Sequence, residues 1–367
     1  MNKKYIWSIV ILVVIIIILV ASFGEKSSNS SIKIGAIAPL TGWGAYWGEG
    51  YTKGIEMAVA EINSSGDKVK VIIEDGATDG VKSATAAQKL INIDGVRGLI
   101  VEFTAPASAV SPIALQKGIP LMYDAVTKKI VESNQLAFKM YFDMENQCRV
   151  AADYLARHGS KHIGMLSINL DFAEECQSAI EKVSVQTGVK SSFYLFPGDT
   201  SDFRTYISKM KTDGVDAIVP VPFEDNAIAF FKQKADLKFD VPVFLGLGVP
   251  DAFSIKVRTS VATSSIEGVI TYDQAISDGF KSALVARYPG ITEKDFLSAA
   301  YGYDETMRLY RSLSSCADLE CVISKMKSDT YSGALMAKGF DDSRVINVDP
   351  IYYRYTGGKL VSFDPSK

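Results

Sequence analysis

One stretch constrains this chain more than any other: a strand pattern at Ile32–Ala38 that passes through a loop rich in glycine and aromatic residues into a helix. The loop carries Thr41, Gly42, Trp43, Gly44, Tyr46 and Trp47. Beyond it Ile55, Ala58, Val59 and Ile62 recur at the three-to-four spacing that lines one helix face with apolar side chains. In a parallel α/β sheet such a loop opens at the carboxyl end of its strand, where ligands bind. Aromatic and glycine residues there fit a cleft for a small molecule. A strand–loop–helix unit is also ordinary scaffold, and the loop alone weighs the two equally.

The same alternation continues along almost the whole chain, which argues for parallel sheets built from βαβ units. Strands are expected at residues 69–74, 98–101, 120–123, 162–166, 191–196, 217–221 and 241–245. Amphipathic helices are expected at 81–93, 146–157, 172–187, 203–212 and 225–235, with two longer helical stretches at 277–287 and 296–313. Asp79 and Asp202 stand before helices with N-cap chemistry. Gly66, Gly95, Gly159, Gly188 and Gly214 fall where helices should stop. Residues 352–355 and 360–363, separated by Gly357 and Gly358, read as a closing β-hairpin.

The chain begins with Lys3 and Lys4 before an almost unbroken apolar run, residues 5–23. Its length lies between a signal-peptide core and a spanning helix. The lysines keep the N-terminus in the cytoplasm and export the remainder. Small residues at Ser22 and Gly24 allow cleavage, but the long apolar core favours an uncleaved anchor, followed by a serine-rich tether. Residues 1–31 are therefore an anchor or signal segment, at the outer face of the cytoplasmic membrane or in the periplasm. The rest, about 335 residues, exceeds one typical core and implies two lobes. A net charge of −3 argues against a nucleic-acid partner. Of four cysteines, Cys316 with Cys321 and Cys148 with Cys176 are candidate pairs in an oxidising compartment. Four unpaired thiols are the other reading, and spacing does not decide. No Cys/His grouping has metal-ligand spacing, so neither metal nor cofactor is expected.

Residues 32–48 and 51–63 resemble the opening of the type I periplasmic binding proteins of the branched-chain amino-acid (Leu/Ile/Val) family of ABC transporters. The resemblance continues through 72–79, 101–108, 118–121, 162–166 and 214–219. No single piece is diagnostic; their order and spacing are specific, and together they cover nearly everything after Ser31. The resemblance implies two doubly wound α/β lobes joined by a three-strand hinge. Lobe one would hold residues 32–142 plus 273–344, and lobe two 143–272 plus 345–367.

It also implies a site. Glu102, Phe103 and Thr104 lie where a strand meets a helix; Pro106 suits that helix's first turn, and Thr104 is expected to cap it, leaving backbone N–H groups for a carboxylate. Ala125, Val126 and Thr127 match the family's Ala-x-Thr segment, whose hydroxyl and backbone groups complete the hydrogen bonds to ligand. Trp47 takes the place of a wall-forming aromatic, and Phe172 and Phe223 match ligand-facing tyrosines of the second lobe, which makes the pocket less polar. Taken alone, each aromatic is more often plain packing. Gly248 falls where relatives that bind α-amino acids carry an acid for the ligand ammonium. A desolvated ammonium without that partner would cost several kcal/mol. Either Glu102, Asp124, Asp171, Glu224 or Asp251 substitutes, or the ligand is not an amino acid.

Enzyme readings lack motifs. There are two histidines, His158 and His162, no nucleophile elbow, and only Gly246 and Gly248 of a dinucleotide fingerprint. Asp75 and Asp79 fit a helix start better than acid–base chemistry. The expected function is capture of a small organic ligand (an amino acid or related amide or carboxylate) for an ABC transporter permease. A sensor ectodomain of the same fold and a scaffold that has lost its pocket are the alternatives.

Overall fold

The computed structural model describes residues 31–42, 44–170 and 172–367, with the side chains of all but Pro250 and Asp251. The apolar run at 5–23, Trp43 and Asp171 lie outside the described residues.

The first half builds one parallel sheet from β1 (Ile32–Ala38), β2 (Val69–Asp75), β3 (Leu99–Glu102), β4 (Leu121–Asp124) and β5 (Ala137–Lys139), in the order β2-β1-β3-β4-β5. Crossovers run through α1 (Ala45–Ile62), α2 (Gly80–Lys89) and α3 (Thr104–Lys117). β3 and β4 are buried throughout, as strands covered on both faces must be. One face packs against α2 and α3 through Leu90, Leu99, Val101 and Val110. The other packs against α1 and a group of later helices through Ile34, Ile100, Tyr51 and Leu309.

The second sheet is built the same way, from β6 (His162–Ile168), β7 (Lys190–Phe196) and β8 (Ala217–Val221) in the order β7-β6-β8. Its helices are α4 (Met144–Arg157), α5 (Phe172–Thr187), α6 (Arg204–Asp213) and α7 (Glu224–Asp236). The strand expected at 241–245 shrinks to isolated bridges, Val243 to Ile218 and Phe244 to Ile270. Pro242 has no N–H to donate, so it joins the ladder only as an acceptor from Ile218. Beyond it, β9 (Ile270–Gln274) pairs antiparallel with β10 (Pro350–Thr356), and β10 with β11 (Lys359–Phe363). Gly357 and Gly358, at φ 59° and 81°, make the two-residue hairpin turn that needs positive φ at both positions.

Helices α8 (Asp278–Arg287), α9 (Phe296–Ser315) and α10 (Leu319–Lys327) return to the first sheet. α9 lies tightly on α1: a Cβ at Gly54 would sit 1.9 Å from the Ala299 carbonyl oxygen, so only glycine permits this approach. The chain passes between the two cores three times, from Phe142 to Met144, from Ile270 to Tyr272 and from Ile346 to Tyr355. The architecture is thus two doubly wound α/β lobes with three crossings. Val345 still pairs with Lys139 at the edge of the first sheet.

Both cysteine pairs are bonded: Cys148–Cys176 ties α4 to α5, and Cys316–Cys321 closes a short loop between α9 and α10. Asp79 caps α2 by accepting from the Lys82 N–H. Asp202 accepts from the Arg204 N–H, but Phe203 holds the cap position.

Candidate ligand-binding site

In each sheet the strand order reverses at one place, between β1 and β3 and between β6 and β8. Loops leave in opposite directions there, and a crevice opens at the carboxyl ends of the strands. Phe103 lies between β3 and α3 and Phe223 between β8 and α7, whereas Trp47, expected in the loop after β1, falls in the first turn of α1, and Phe172 is the first residue of α5 after β6. Trp47 meets Phe103 edge-on at 5.6 Å, and Phe172 meets Phe223 edge-on at 6.3 Å. Phe172 is buried in the core of its own lobe, whereas Trp47, Phe103 and Phe223 are half-buried.

The first loop is shaped by a residue that the sequence reading assigned to a helix start. Asp75 accepts from the Leu40, Thr41 and Ala77 N–H groups and from the Thr41 hydroxyl. Desolvation would raise its carboxyl, but these bonds outweigh it and hold it below its ordinary value.

Thr104 does not cap α3. It is the first helical residue, and the cap is Phe103, which makes no side-chain capping bond and holds φ 76°, ψ 152°. That region belongs almost wholly to glycine, so the ring of Phe103 is kept in place at a backbone cost. Pro106 falls in the first turn, where its missing N–H leaves no intrahelical bond unmade.

Behind this loop the ends of β3 and β4 set Glu102 beside Asp124 in register, and Glu305 of α9 joins them. All three are buried, and the Tyr51 hydroxyl donates to Glu305. Glu102 Oε2, Asp124 Oδ1 and Glu305 Oε1 have no hydrogen-bond partner among the described residues. Burial, reinforced by the repulsion of their neighbours, pushes all three carboxyls well above the ordinary range. No group of three or more His, Cys, Asp or Glu among the described residues could hold a metal ion.

Ala125 and Thr127 are buried, and Val126 packs against the cores of both lobes. The lobes also meet through charge. Lys129 pairs with Glu174 at 2.7 Å, and Glu175 accepts from the Thr127 hydroxyl at 3.2 Å and from the Lys128 N–H at 2.8 Å. Sequence reasoning had no signal for Glu175, because only the packing of α5 brings it to β4's loop.

Gly248 begins the short helix Val249–Ala252, and a Cβ there would lie 2.8 Å from the Tyr272 carbonyl oxygen. The segment is fixed from below by the Tyr272 hydroxyl, which donates to the Gly246 carbonyl at 2.7 Å. An acid at this position therefore has no room. Of the five substitutes, Glu102 and Asp124 lie under the first lobe's loops, and Glu224 is occupied by the Ser254 hydroxyl and Lys256. Asp171 and the Asp251 side chain are outside the described residues. His162 and His158 serve structure, one beside the Ser192 hydroxyl at 2.8 Å and the other beside the Tyr154 carbonyl at 2.7 Å.

Comparison with known proteins agrees with this geometry. A Leu/Ile/Val-binding protein homolog 7 from Brucella suis biovar 1 (strain 1330) is 23% identical over 347 residues, covering 88% of this chain and 81% of that protein. A leucine binding protein from Thermotoga maritima MSB8 shares the fold with a TM-score of 0.76 at 18% identity, covering 91% of this chain and 98% of that one. So does a solute binding protein of an ABC transporter from Rhodopseudomonas palustris BisB5 in complex with 3,4-dihydroxybenzoic acid, with a TM-score of 0.76 at 21% identity, over 91% and 96% of the two chains. The branched-chain amino acid substrate binding protein of Streptococcus pneumoniae, in complex with isoleucine, gives a TM-score of 0.72 at 19% identity over 91% and 100%. The family model described as periplasmic binding protein matches residues 31–353. The chain belongs to the periplasmic binding protein family.

Proposed function

We propose that this protein is an exported solute-binding protein that captures a small organic ligand between its two lobes and delivers it to an ABC transporter permease. It performs no chemistry on the ligand. The observation that carries the reading is the placing of Trp47 and Phe103 at one lobe's switch point and of Phe172 and Phe223 at the other's. Aromatic walls with a few fixed polar groups are the usual make-up of a small-ligand site. The N–H groups at the start of α3, with Thr104 and Ala125, supply hydrogen bonds to the ligand's acceptor atoms, while the Thr127 hydroxyl is engaged by Glu175. Among relatives, one solved protein holds an aromatic acid and another isoleucine, which makes amino acids, amides and aromatic acids the classes to try. Only a closed arrangement touches ligand from both sides, so ligand shifts the population toward closure. Among the described residues no helix is long and apolar enough to cross a membrane. In this reading the run at residues 5–23 tethers the mature protein to the outer face of the cytoplasmic membrane.

A thermal-shift screen over amino acids, short amides and aromatic acids tests the proposal, because a ligand at a hundred times its Kd stabilises by about 2.7 kcal/mol. At least one class should raise Tm in a saturable way. A flat response across all three would mean a scaffold without a pocket.

A further inference from the structure

Glu175 stands in the first turn of α5, on the second lobe, and reaches across to the segment after β4 on the first. Its Oε1 accepts both the Thr127 hydroxyl and the Lys128 N–H. The Thr127 hydroxyl is one of the groups that the family resemblance assigns to hydrogen-bonding the ligand. Its other oxygen, Oε2, is buried and has no hydrogen-bond partner among the described residues. A buried acceptor left without a donor is costly, so this end of the site wants an N–H or O–H group, not a second acceptor.

The surroundings point the same way. A ligand carboxylate brought to Thr127 would either have to expel Glu175 or lie beside it, with like charges in contact. The position that would pair an ammonium in relatives, Gly248, is closed to any side chain by Tyr272. A donor on the ligand therefore meets its partner at Glu175 instead.

We propose that Glu175 is a specificity-determining residue: it takes the place of a ligand carboxylate at Thr127 and Lys128, and selects a ligand that presents an N–H donor, an amine or primary amide, to that end of the site. This rests on the solute-binding reading above. A primary amide fits well, since its carbonyl can accept from the N–H groups at the start of α3 while its NH2 donates to Glu175.

The test uses matched acid and amide probes, L-isoleucine with L-isoleucinamide and benzoate with benzamide, alongside the screening panel. Wild type, Glu175→Ala and Glu175→Gln are titrated by calorimetry, after unliganded thermal unfolding has shown that each variant folds. Wild type should bind the amide of a pair at least tenfold more tightly than the acid. Glu175→Ala frees Thr127 and Lys128 and should erase or reverse that preference. Glu175→Gln still offers one oxygen to both donors but loses the second acceptor, so the amide should weaken while the acid gains nothing. Tighter binding of the acid by wild type, with an acid-to-amide ratio unmoved in Glu175→Ala, would overturn the inference and leave the solute-binding reading standing. No binding by any member of the panel would overturn that reading and this inference with it.

Discussion

Phe103 offers a sharp test of whether the first lobe's loop is held under strain for the sake of an aromatic wall. Its φ of 76° and ψ of 152° fall where only glycine is at ease, at a cost of about 1–3 kcal/mol for any other residue. Replacing it by alanine or by glycine removes the ring either way, losing about 1 kcal/mol of half-buried apolar surface and about 0.5–1.5 kcal/mol of edge-on contact with Trp47. The two variants differ only in backbone. Alanine keeps the strain; glycine relieves it but gives up about 0.5–1 kcal/mol in unfolded-state entropy. Phe103→Gly should therefore be more stable than Phe103→Ala by up to about 2.5 kcal/mol, the reverse of the usual order. Urea unfolding midpoints, compared at equal slopes, measure this directly. Ligand affinity should fall in both variants, since both lose the wall. Should the alanine variant prove as stable as the glycine variant or more so, the strain argument fails.

Two further outcomes concern the disulfides and the buried carboxyls. Removing the Cys148–Cys176 bond by a double alanine substitution should cost about 3.6 kcal/mol from its 28-residue separation, against about 2 kcal/mol for Cys316–Cys321 with a separation of 5; equal losses in denaturant unfolding would rule out loop entropy as the main term. The carboxyls of Glu102, Asp124 and Glu305 are raised in the folded state by burial and by the repulsion of neighbouring acids, so the folded protein keeps protons that the unfolded chain releases. Their contribution to stability therefore falls as pH rises from the ordinary carboxylate range toward neutrality. Tm should rise on acidification from pH about 7.5 to about 5.5, and Glu305→Gln should flatten that slope; a Tm that drops over this interval would contradict the burial account.

Much of the fold was legible because it rests on local signals. The βα alternation set out the two sheets, positive-φ glycines stopped the helices, and Gly357 with Gly358 fixed the final hairpin. Disulfide pairing was not legible, since it depends on α4 lying against α5. The strand at 241–245 read as regular because its composition is apolar, while Pro242 limits it to bridges. The site divides in the same way. Its aromatic candidates were picked from the segments that follow each strand, although Trp47 and Phe172 are helical in the structure. The cap at Phe103 could not, because a bulky residue at positive φ contradicts every local preference and is held only by the surrounding packing. Asp75 was misread for a related reason: its partners, Leu40 and Thr41, lie more than thirty residues away. Glu175 is the extreme case, a residue of one lobe whose partners belong to the other.

The central claim is that ligand is held by both lobes at once, and small-angle X-ray scattering on the purified protein tests it most directly. With the ligand found by thermal shift present at saturation, the radius of gyration should fall relative to the unliganded protein, because only the closed population makes both sets of contacts. An unchanged radius at saturation, together with a bound structure in which ligand touches only one lobe, would contradict the account.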